Sequence, residues 1–240
     1  MTAVILAAGS STRMAPYSDA VIPKPLLPVA LASDGRMTSV LDRILFQCYK
    51  ADIERVILVA NANNVTALSS YIVEARKAGV QIVLQQKPGH LSAVVAGIVN
   101  VQDDILVIDG DNYFQDHATI YDFLEDCSGK THFCAGVFKA DRFDKYAMVQ
   151  VDDDVIVGIR EKPDHWNHPM WAKSGLFYIP LDLICFTCSM YEEGVSSTTD
   201  LIAATEDTIA VRIEETPIDI GTWDAYVAVL KSALREPFCD

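Results

Sequence analysis

The fold is decided near the start of the chain, where AVILA at residues 3–7 leads into AGSSTRM at 8–14, followed by PKPLLPV at 23–29. An apolar run that ends in small polar residues predicts a short buried strand with a loop at its end. Small residues let backbone N–H groups approach an anion closely, which predicts a phosphate-binding loop. Because Arg13 and Lys24 add two cations nearby, this stretch indicates nucleoside triphosphate chemistry.

Alternating strands and helices follow in the first half. Apolar runs predict strands at 56–60, 80–84 and 105–108, and helical spacing predicts helices at 38–50, 65–78 and 91–100. Such alternation predicts βαβ units and a mainly parallel sheet. In the second half, we expect strands at 131–139, 147–151, 155–159, 173–179 and 209–214, then a helix at 223–234. An acidic turn, residues 152–154, would join the second and third of these strands.

Composition narrows the class of protein. The chain has 240 residues, with 19 Lys and Arg against 33 Asp and Glu and a net charge of −14. This charge argues against binding to nucleic acid or to an anionic membrane. Because no signal peptide or membrane span is recognisable, we expect a cytoplasmic protein with reduced cysteines. The C-x-x-C pair Cys185 and Cys188 is predicted to lie buried in a helix.

The two opening motifs resemble those of the nucleotidyltransferases that make nucleotide-sugars, including short cytidylyl-, uridylyl- and thymidylyltransferases. The family pattern is L-A-[AG]-G-x-G-T-R-[LM], then P-K-P-L-[LV]-P-[VI]. The chain departs from it at Ser11, where a second glycine is usual. Serine fits this turn if φ stays negative. The resemblance implies a Rossmann-like (GT-A-like) α/β fold, with a mainly parallel sheet, flanking helices and an inserted β-rich acceptor-binding portion.

The resemblance also implies how one domain, residues 1–240, is divided. Residues 1–130 would form the nucleotide-binding half, 131–222 the acceptor-binding half and 223–240 a closing helix. The nucleotide would contact Leu6, Ala8, Gly9, Ser10, Ser11, Thr12, Gln85, Gly89 and Asp111. Gln85 opens QQKPGHLS, which resembles the family's Q-x-x-x-x-G-L-[AG]. Since its amide has both donors and an acceptor, Gln85 suits the edge of a pyrimidine base.

Magnesium is the cofactor that the resemblance implies. Asp111 lies in a G-D-N motif and Asp219 in a D-I-G-T motif that match the family, and the two are expected to bind Mg²⁺. A third carboxylate, Asp109, precedes Asp111 by two residues. Two roles remain open for Asp109. It either tunes the electrostatics of the site or is only a solvated residue of a loop.

The acceptor half carries a matching E-K-P motif at residues 161–163. In the family, the lysine holds the phosphate of the acceptor and the glutamate contacts its sugar hydroxyls, which gives these roles to Lys162 and Glu161. Tyr146 and Ser174 are the further acceptor contacts that the resemblance implies. Ala147 stands where relatives often have a glycine close to the sugar.

The expected reaction joins an NTP, with a pyrimidine favoured, to a sugar 1-phosphate and releases pyrophosphate. Catalysis would come from positioning and charge stabilisation. Arg13 would bind pyrophosphate, Lys24 would stabilise the α-phosphate and Lys162 would hold the acceptor. Two alternatives stay open: a cytidylyltransferase acting on a choline- or polyol-type phosphate, and a non-catalytic module that binds a nucleotide-sugar. The oligomeric state is also open, a homodimer included.

Overall fold

Strands and helices alternate through most of the computed structural model, which describes residues 1–14, 22–32, 35–74 and 79–233. The strands are β1 Thr2–Leu6, β2 Pro28–Leu31, β3 Met37–Ser39, β4 Arg55–Ala60, β5 Val80–Leu84, β6 Ile105–Asp109, β7 Asn112–Tyr113, β8 Cys134–Lys139, β9 Ala147–Asp152, β10 Val155–Glu161, β11 Trp171–Ile179, β12 Ile209–Arg212 and β13 Ile218–Asp219. The helices are α1 Val40–Lys50, α2 Val65–Glu74, α3 His90–Ile98, α4 Thr119–Cys127, α5 Ile184–Glu192, α6 Thr198–Ala203 and α7 Trp223–Ala233.

Local sequence explains where these elements begin and end. Helix α1 starts after Ser39, whose hydroxyl accepts a hydrogen bond from the Asp42 N–H while the Asp42 carboxylate accepts one from the Ser39 N–H. This capping box satisfies N–H groups that the first helical turn leaves unpaired. The predicted strand at 80–84 agrees with β5. The ends predicted for the second and last helices, at 75–78 and 234, lie outside the described residues.

The large sheet is mixed, which corrects the expectation of a mainly parallel sheet. Its strand order is β5-β4-β1-β6-β11-β8-β12-β10-β9, and β9 also pairs with β11. Neighbours are parallel from β5 to β6 and between β8 and β12, whereas the remaining pairs are antiparallel. Hairpin connections such as β9–β10 reverse the chain without a crossover helix, so they produce antiparallel pairs. The β-rich second half therefore extends the same sheet.

Helices cover both faces of the sheet. Because neighbouring strand residues point to opposite faces, Ile5 joins the core beneath α1, α2, α4 and α7, whereas Val4 joins the core beneath α3, α5 and α6. Among the described residues, no helix is long and apolar enough to cross a membrane. The C-x-x-C pair lies in α5 as expected, but Cys185 is exposed and Cys188 only half-buried, so the prediction that both are buried was wrong.

Candidate active site

Two cavities adjoin at the carboxyl edge of the parallel strands. The first, about 390 Å³, lies beside the loop after β1, and the second, about 590 Å³, lies over the start of β9 and the middle of β11. His90, Asp109 and Asp111 line both cavities. Both volumes are in the range of small-molecule sites. The cavities lie where ligands bind in open α/β sheets, beyond the carboxyl ends of neighbouring parallel strands, since Leu6 of β1 pairs with Asp109 of β6.

Most of the predicted nucleotide contacts line the first cavity. These are Leu6, Ala8, Gly9, Ser10, Ser11, Gln85, Gly89 and Asp111, together with Lys24. Thr12 is exposed in the 3₁₀ turn Thr12–Met14, and Arg13 lines the second cavity. The family motifs therefore converge on one cavity, while the arginine of the first motif reaches the adjoining one.

The loop after β1 is held by side chains that the sequence analysis did not identify. The Asn64 amide donates to the Ala7 carbonyl at 2.7 Å, and the Asn61 amide donates to the Ala8 carbonyl at 2.9 Å. Ser11 is buried and has a φ of +51°, so the condition under which serine would fit this turn easily, a negative φ, is not met. A serine in this left-handed region carries strain that a glycine would not. The asparagine run after β4 was the available signal for the anchors.

Gln85 and Gly89 are joined by a hydrogen bond. The Gln85 amide donates to the Gly89 carbonyl at 2.7 Å, which holds the side chain at the first cavity. Gly89 precedes α3 and has a φ of +126°. A residue with a side chain would be strained in this backbone conformation. Within the part of the chain that the structure describes, the oxygen of the Gln85 amide accepts no hydrogen bond and is available to a ligand.

Lys24 forms an ion pair with the first predicted metal ligand. Its ammonium lies 3.2 Å from Asp111 Oδ2, and the lysine is buried. Burial raises the pKa of Asp111, and repulsion from Asp219 and Asp109 raises it further, although Lys24 opposes the shift. Asp111 is therefore a crowded carboxylate whose negative charge is only partly compensated.

The two predicted metal ligands are brought together by a small sheet. Asp219 of β13 pairs with Asn112 of β7, and the Ile220 N–H donates to the Asp111 carbonyl at 3.1 Å. Asp219 Oδ1 accepts a hydrogen bond from the Gly221 N–H at 2.6 Å. A β-carbon added at Gly221 would lie 2.7 Å from the Arg13 guanidinium, so Arg13 packs beside the same segment.

These carboxylates fit a hard divalent cation. Their oxygens are the donors that Mg²⁺ prefers, and their mutual repulsion is the condition that a bound cation relieves. Within residues 1–14, 22–32, 35–74 and 79–233, no group of three or more His, Cys, Asp or Glu side chains could hold a metal. A site with two protein ligands matches the habit of Mg²⁺, which keeps waters and phosphate oxygens as its other ligands.

His90 and Asp109 form a pair that the sequence analysis missed. His90 Nε2 lies 2.9 Å from Asp109 Oδ1, at the wall between the two cavities. Burial alone would raise the pKa of Asp109, but His90, and then Lys173, outweigh burial and hold it below its usual value. Asp109 is therefore an ionised, hydrogen-bonded member of the site. No local pattern links these two residues, which meet only through the fold.

The predicted acceptor residues line the second cavity. This cavity lies by the start of β9 and the end of β10, the two strands of a hairpin. The Lys162 N–H donates to the Tyr146 carbonyl at 3.0 Å, and the Lys162 ammonium lies 3.7 Å from Glu161. Lys162 has a φ of +41°. Strained backbone of this kind persists where the surrounding structure enforces it, and it concentrates at functional sites. Both long side chains are more than half exposed and reach into the cavity.

Ser174 and Gly175 lie where β11 changes register. Ser174 lines the second cavity, but its buried hydroxyl accepts a hydrogen bond from the Leu176 N–H at 3.1 Å, so the hydroxyl serves the strand itself. A β-carbon added at Gly175 would lie 2.7 Å from Asn112 Nδ2 and 2.9 Å from Asp109 Cβ. Gly175 therefore lets β11 pass close to the acidic segment. The register shift in β11 places this contact beside the cavity.

A half-buried carboxylate fixes the chain that follows Asp111. The Glu215 carboxylate accepts hydrogen bonds from the N–H groups of Gln115 and Asp116, at 2.9 and 3.1 Å, and from the Thr119 hydroxyl at 2.5 Å. Since Glu215 shortly precedes Asp219, it joins the two segments that carry the predicted metal ligands. The Gln47 amide supports the same loop by donating to the Phe114 and Asp116 carbonyls.

Comparisons with known proteins agree with this geometry. The "Bifunctional protein GlmU" of Methanococcus maripaludis is 28% identical over 167 residues, which are 68% of this chain but 36% of that protein. The chain thus spans about a third of that relative. A UDP-glucose pyrophosphorylase from Acinetobacter baumannii has a TM-score of 0.80 at 21% identity, covering 98% of this chain and 94% of the other. A Bacillus anthracis protein, provisionally a glucose-1-phosphate thymidylyltransferase, has a TM-score of 0.83 at 18% identity, covering 99% and 96%.

The family model described as "Nucleotidyl transferase" matches residues 2–236. That range contains both cavities and every predicted site residue. The structural neighbours share the fold over nearly the whole chain. The chain therefore belongs to the nucleotidyl transferase family.

Proposed function

We propose that this enzyme transfers a nucleotidyl group, with a pyrimidine base favoured, from an NTP to a sugar 1-phosphate. The observation that carries the proposal is the junction of the two cavities at Asp111, beside Lys24. A nucleotide in the first cavity and an acceptor in the second would meet there. The named activities of the solved neighbours, a UDP-glucose pyrophosphorylase and a thymidylyltransferase, support the same substrate classes.

In the proposed reaction, an oxygen of the acceptor phosphate attacks the α-phosphorus of the NTP. A new phosphorus–oxygen bond forms, the bond from the α-phosphorus to the bridging oxygen breaks, and pyrophosphate leaves with that oxygen. The attacking oxygen is already anionic at neutral pH, so no general base is needed. The task of the protein is to hold two anions in line and to offset their charge.

Five side chains would share this task. Lys24 would stabilise charge on the α-phosphate from the first cavity, and Lys162 would hold the acceptor phosphate from the second. Arg13 lines the second cavity, and it would hold the leaving pyrophosphate where the phosphate chain of the nucleotide passes the junction. Asp111 and Asp219 would hold Mg²⁺, which supplies positive charge against the phosphate oxygens when bound. The contact of 3.2 Å between the Lys24 ammonium and Asp111 Oδ2 supports this role for the lysine.

The base preference rests on the first cavity. Gln85 is fixed there by Gly89 with its amide oxygen left to accept a hydrogen bond, which suits a pyrimidine edge. Ala8 lines the same cavity at the position where guanylyl-transferring relatives usually have glycine. A larger purine would need the space that the methyl group of Ala8 takes.

A matrix of five NTPs against a panel of phosphomonoesters, measured by pyrophosphate release, tests the proposal. The panel should include sugar 1-phosphates, phosphocholine and a polyol phosphate, with Mg²⁺ present or removed by a chelator. We expect release that depends on Mg²⁺ and on a sugar 1-phosphate. Turnover with phosphocholine or polyol phosphate alone would favour the cytidylyltransferase alternative. Absence of release from every pair would contradict the proposal and favour a non-catalytic module.

A further inference from the structure

The second cavity contains a lysine that the proposed chemistry does not use. Lys173 lies on β11, is half-buried and lines this cavity. Its ammonium donates one hydrogen bond, to the Ser174 carbonyl at 3.3 Å, and it forms no ion pair within the described part of the chain. An ammonium has three donors. A partly desolvated cation with donors to spare is able to bind an anionic group of a ligand.

The neighbouring carboxylate does not account for Lys173. The charge of Lys173 helps to lower the pKa of Asp109. The direct contact of the Asp109 carboxylate, however, is with His90 Nε2 at 2.9 Å. The chain as a whole carries a net charge of −14, so anionic ligands depend on local cations for binding. Lys173 is one of these local cations in the second cavity.

The sheet places Lys173 and Lys162 on opposite sides of the same strand. Glu161, at the end of β10, pairs with Ala147 of β9, and Lys162 follows directly. On the other side of β9, Ala172 of β11 pairs with Met148, which brings Lys173 next to the start of β9. Backbones separated by one intervening strand lie about 10 Å apart. The two flexible lysines thus flank Ala147 with a gap suited to one sugar-sized molecule.

We propose that the acceptor carries a second anionic group, a carboxylate or a second phosphate, and that Lys173 binds it while Lys162 holds the transferred phosphate. This inference rests on the proposed function and narrows its substrate class. The acceptor is then an acidic sugar phosphate. Lys173 acts as the residue that selects it from neutral sugar phosphates.

The test compares glucose 1-phosphate, glucuronic acid 1-phosphate and glucose 1,6-bisphosphate at saturating NTP. The last two distinguish a carboxylate from a phosphate as the second group. We expect the wild-type kcat/KM to favour one acidic acceptor over glucose 1-phosphate by about tenfold or more, since one charged hydrogen bond is worth roughly 10- to 100-fold. Lys173→Met should abolish this ratio, Lys173→Arg should keep most of it, and the exposed control Lys231→Met should leave it unchanged.

Two results would overturn the inference: equal use of the neutral and both acidic acceptors by the wild type, or a Lys173→Met variant that lowers all three kcat/KM values alike. Calorimetric titration of the same acceptors separates this question from the reaction itself. If no acceptor gives pyrophosphate, the proposed function fails. In that case calorimetry decides the inference, which fails as well if wild type and Lys173→Met bind the acidic sugar phosphates equally.

Discussion

The two cavities are built by different means. The first lies at the ends of parallel strands, where the loop after β1 is anchored through its carbonyl groups by Asn61 and Asn64. The second lies over antiparallel strands and uses long side chains such as Lys162 and Lys173. Fixed backbone suits a phosphate chain that every NTP shares, whereas side chains vary easily between relatives. Under the proposed function, the fold sets the donor site, and individual side chains set the acceptor site.

The largest effect is expected at the junction between the cavities. Asp111→Asn should lower the rate of pyrophosphate release by on the order of 10²-fold or more, because preorganised charge carries losses of that size. Its thermal unfolding temperature should not fall. Burial and neighbouring acids hold the pKa of Asp111 above its usual value, so the ionised group destabilises the fold at neutral pH. The side-chain amide of the asparagine also keeps an oxygen that can accept a hydrogen bond from the Lys24 ammonium.

Single-turnover kinetics measure the loss of rate, and thermal unfolding at pH 7 measures the stability. The control is Asp182→Asn, a substitution at an exposed position. Added Mg²⁺ should raise the unfolding temperature of the wild type more than that of Asp111→Asn. Asp219→Asn should show a loss of rate similar to that of Asp111→Asn. Near-wild-type turnover in either variant would remove that aspartate from the proposed metal pair.

Gly175→Ala probes the close contact between the two halves. Its β-carbon would collide with Asn112 Nδ2 and Asp109 Cβ, so we expect destabilisation by about 1–3 kcal/mol, as for other overpacked sites. Gly158→Ala is the matched control, because its β-carbon would find its nearest neighbour at 3.6 Å. Urea unfolding measures both variants. Equal stability of the two would show that β11 does not need to lie so close to the acidic segment.

Gln85→Ala tests whether base selection belongs to the first cavity. We expect the preference among NTPs to fall more than the rate with the best NTP does. A site built around one base edge can discriminate by up to ~10⁴. The measurement is kcat/KM for each NTP with the best acceptor. If the wild-type enzyme uses GTP or ATP best with every acceptor, the pyrimidine preference is wrong.

The smallest effect concerns acid stability. The pKa of Asp109 is held below its usual value, so its contribution to stability is complete above the unfolded pKa of about 3.9 and is lost as the pH falls below it. Asp109→Asn should therefore lose less stability than the wild type as the pH falls below about 4. Urea unfolding across this pH range gives the two slopes. Parallel slopes would mean that His90 and Lys173 do not stabilise the ionised form.

The sequence predicted the parts of this molecule that depend on local pattern. Apolar runs located the strands of the large sheet, and the motif after β1 leads into the first cavity, whereas the short strands β2, β3, β7 and β13 of the two small sheets were not predicted. Strand direction was not predictable in the same way, because the alternation in β11 is the same whether its neighbours are parallel or antiparallel. The mixed sheet follows from long-range pairing, such as β11 with β6.

Individual contacts between distant residues were also beyond the sequence. His90 and Asp109 meet only because α3 begins beside the end of β6, and Glu215 clamps a loop that lies about a hundred residues earlier. The positive φ of Ser11 is likewise set by its buried surroundings, whereas its residue type favours the opposite sign. Each of these features depends on tertiary structure for its cause.

The division between donor and acceptor cavities is tested most directly by titrating NTP, without acceptor, into wild type, Lys24→Ala and Lys162→Ala. Lys24→Ala should weaken NTP binding by roughly 10- to 100-fold, the value of one charged hydrogen bond. Lys162→Ala should bind NTP like the wild type and show a lower kcat/KM only for the acceptor. The reason is that Lys162 lines the second cavity and not the first. A Lys162→Ala variant that loses as much NTP affinity as Lys24→Ala would contradict this division.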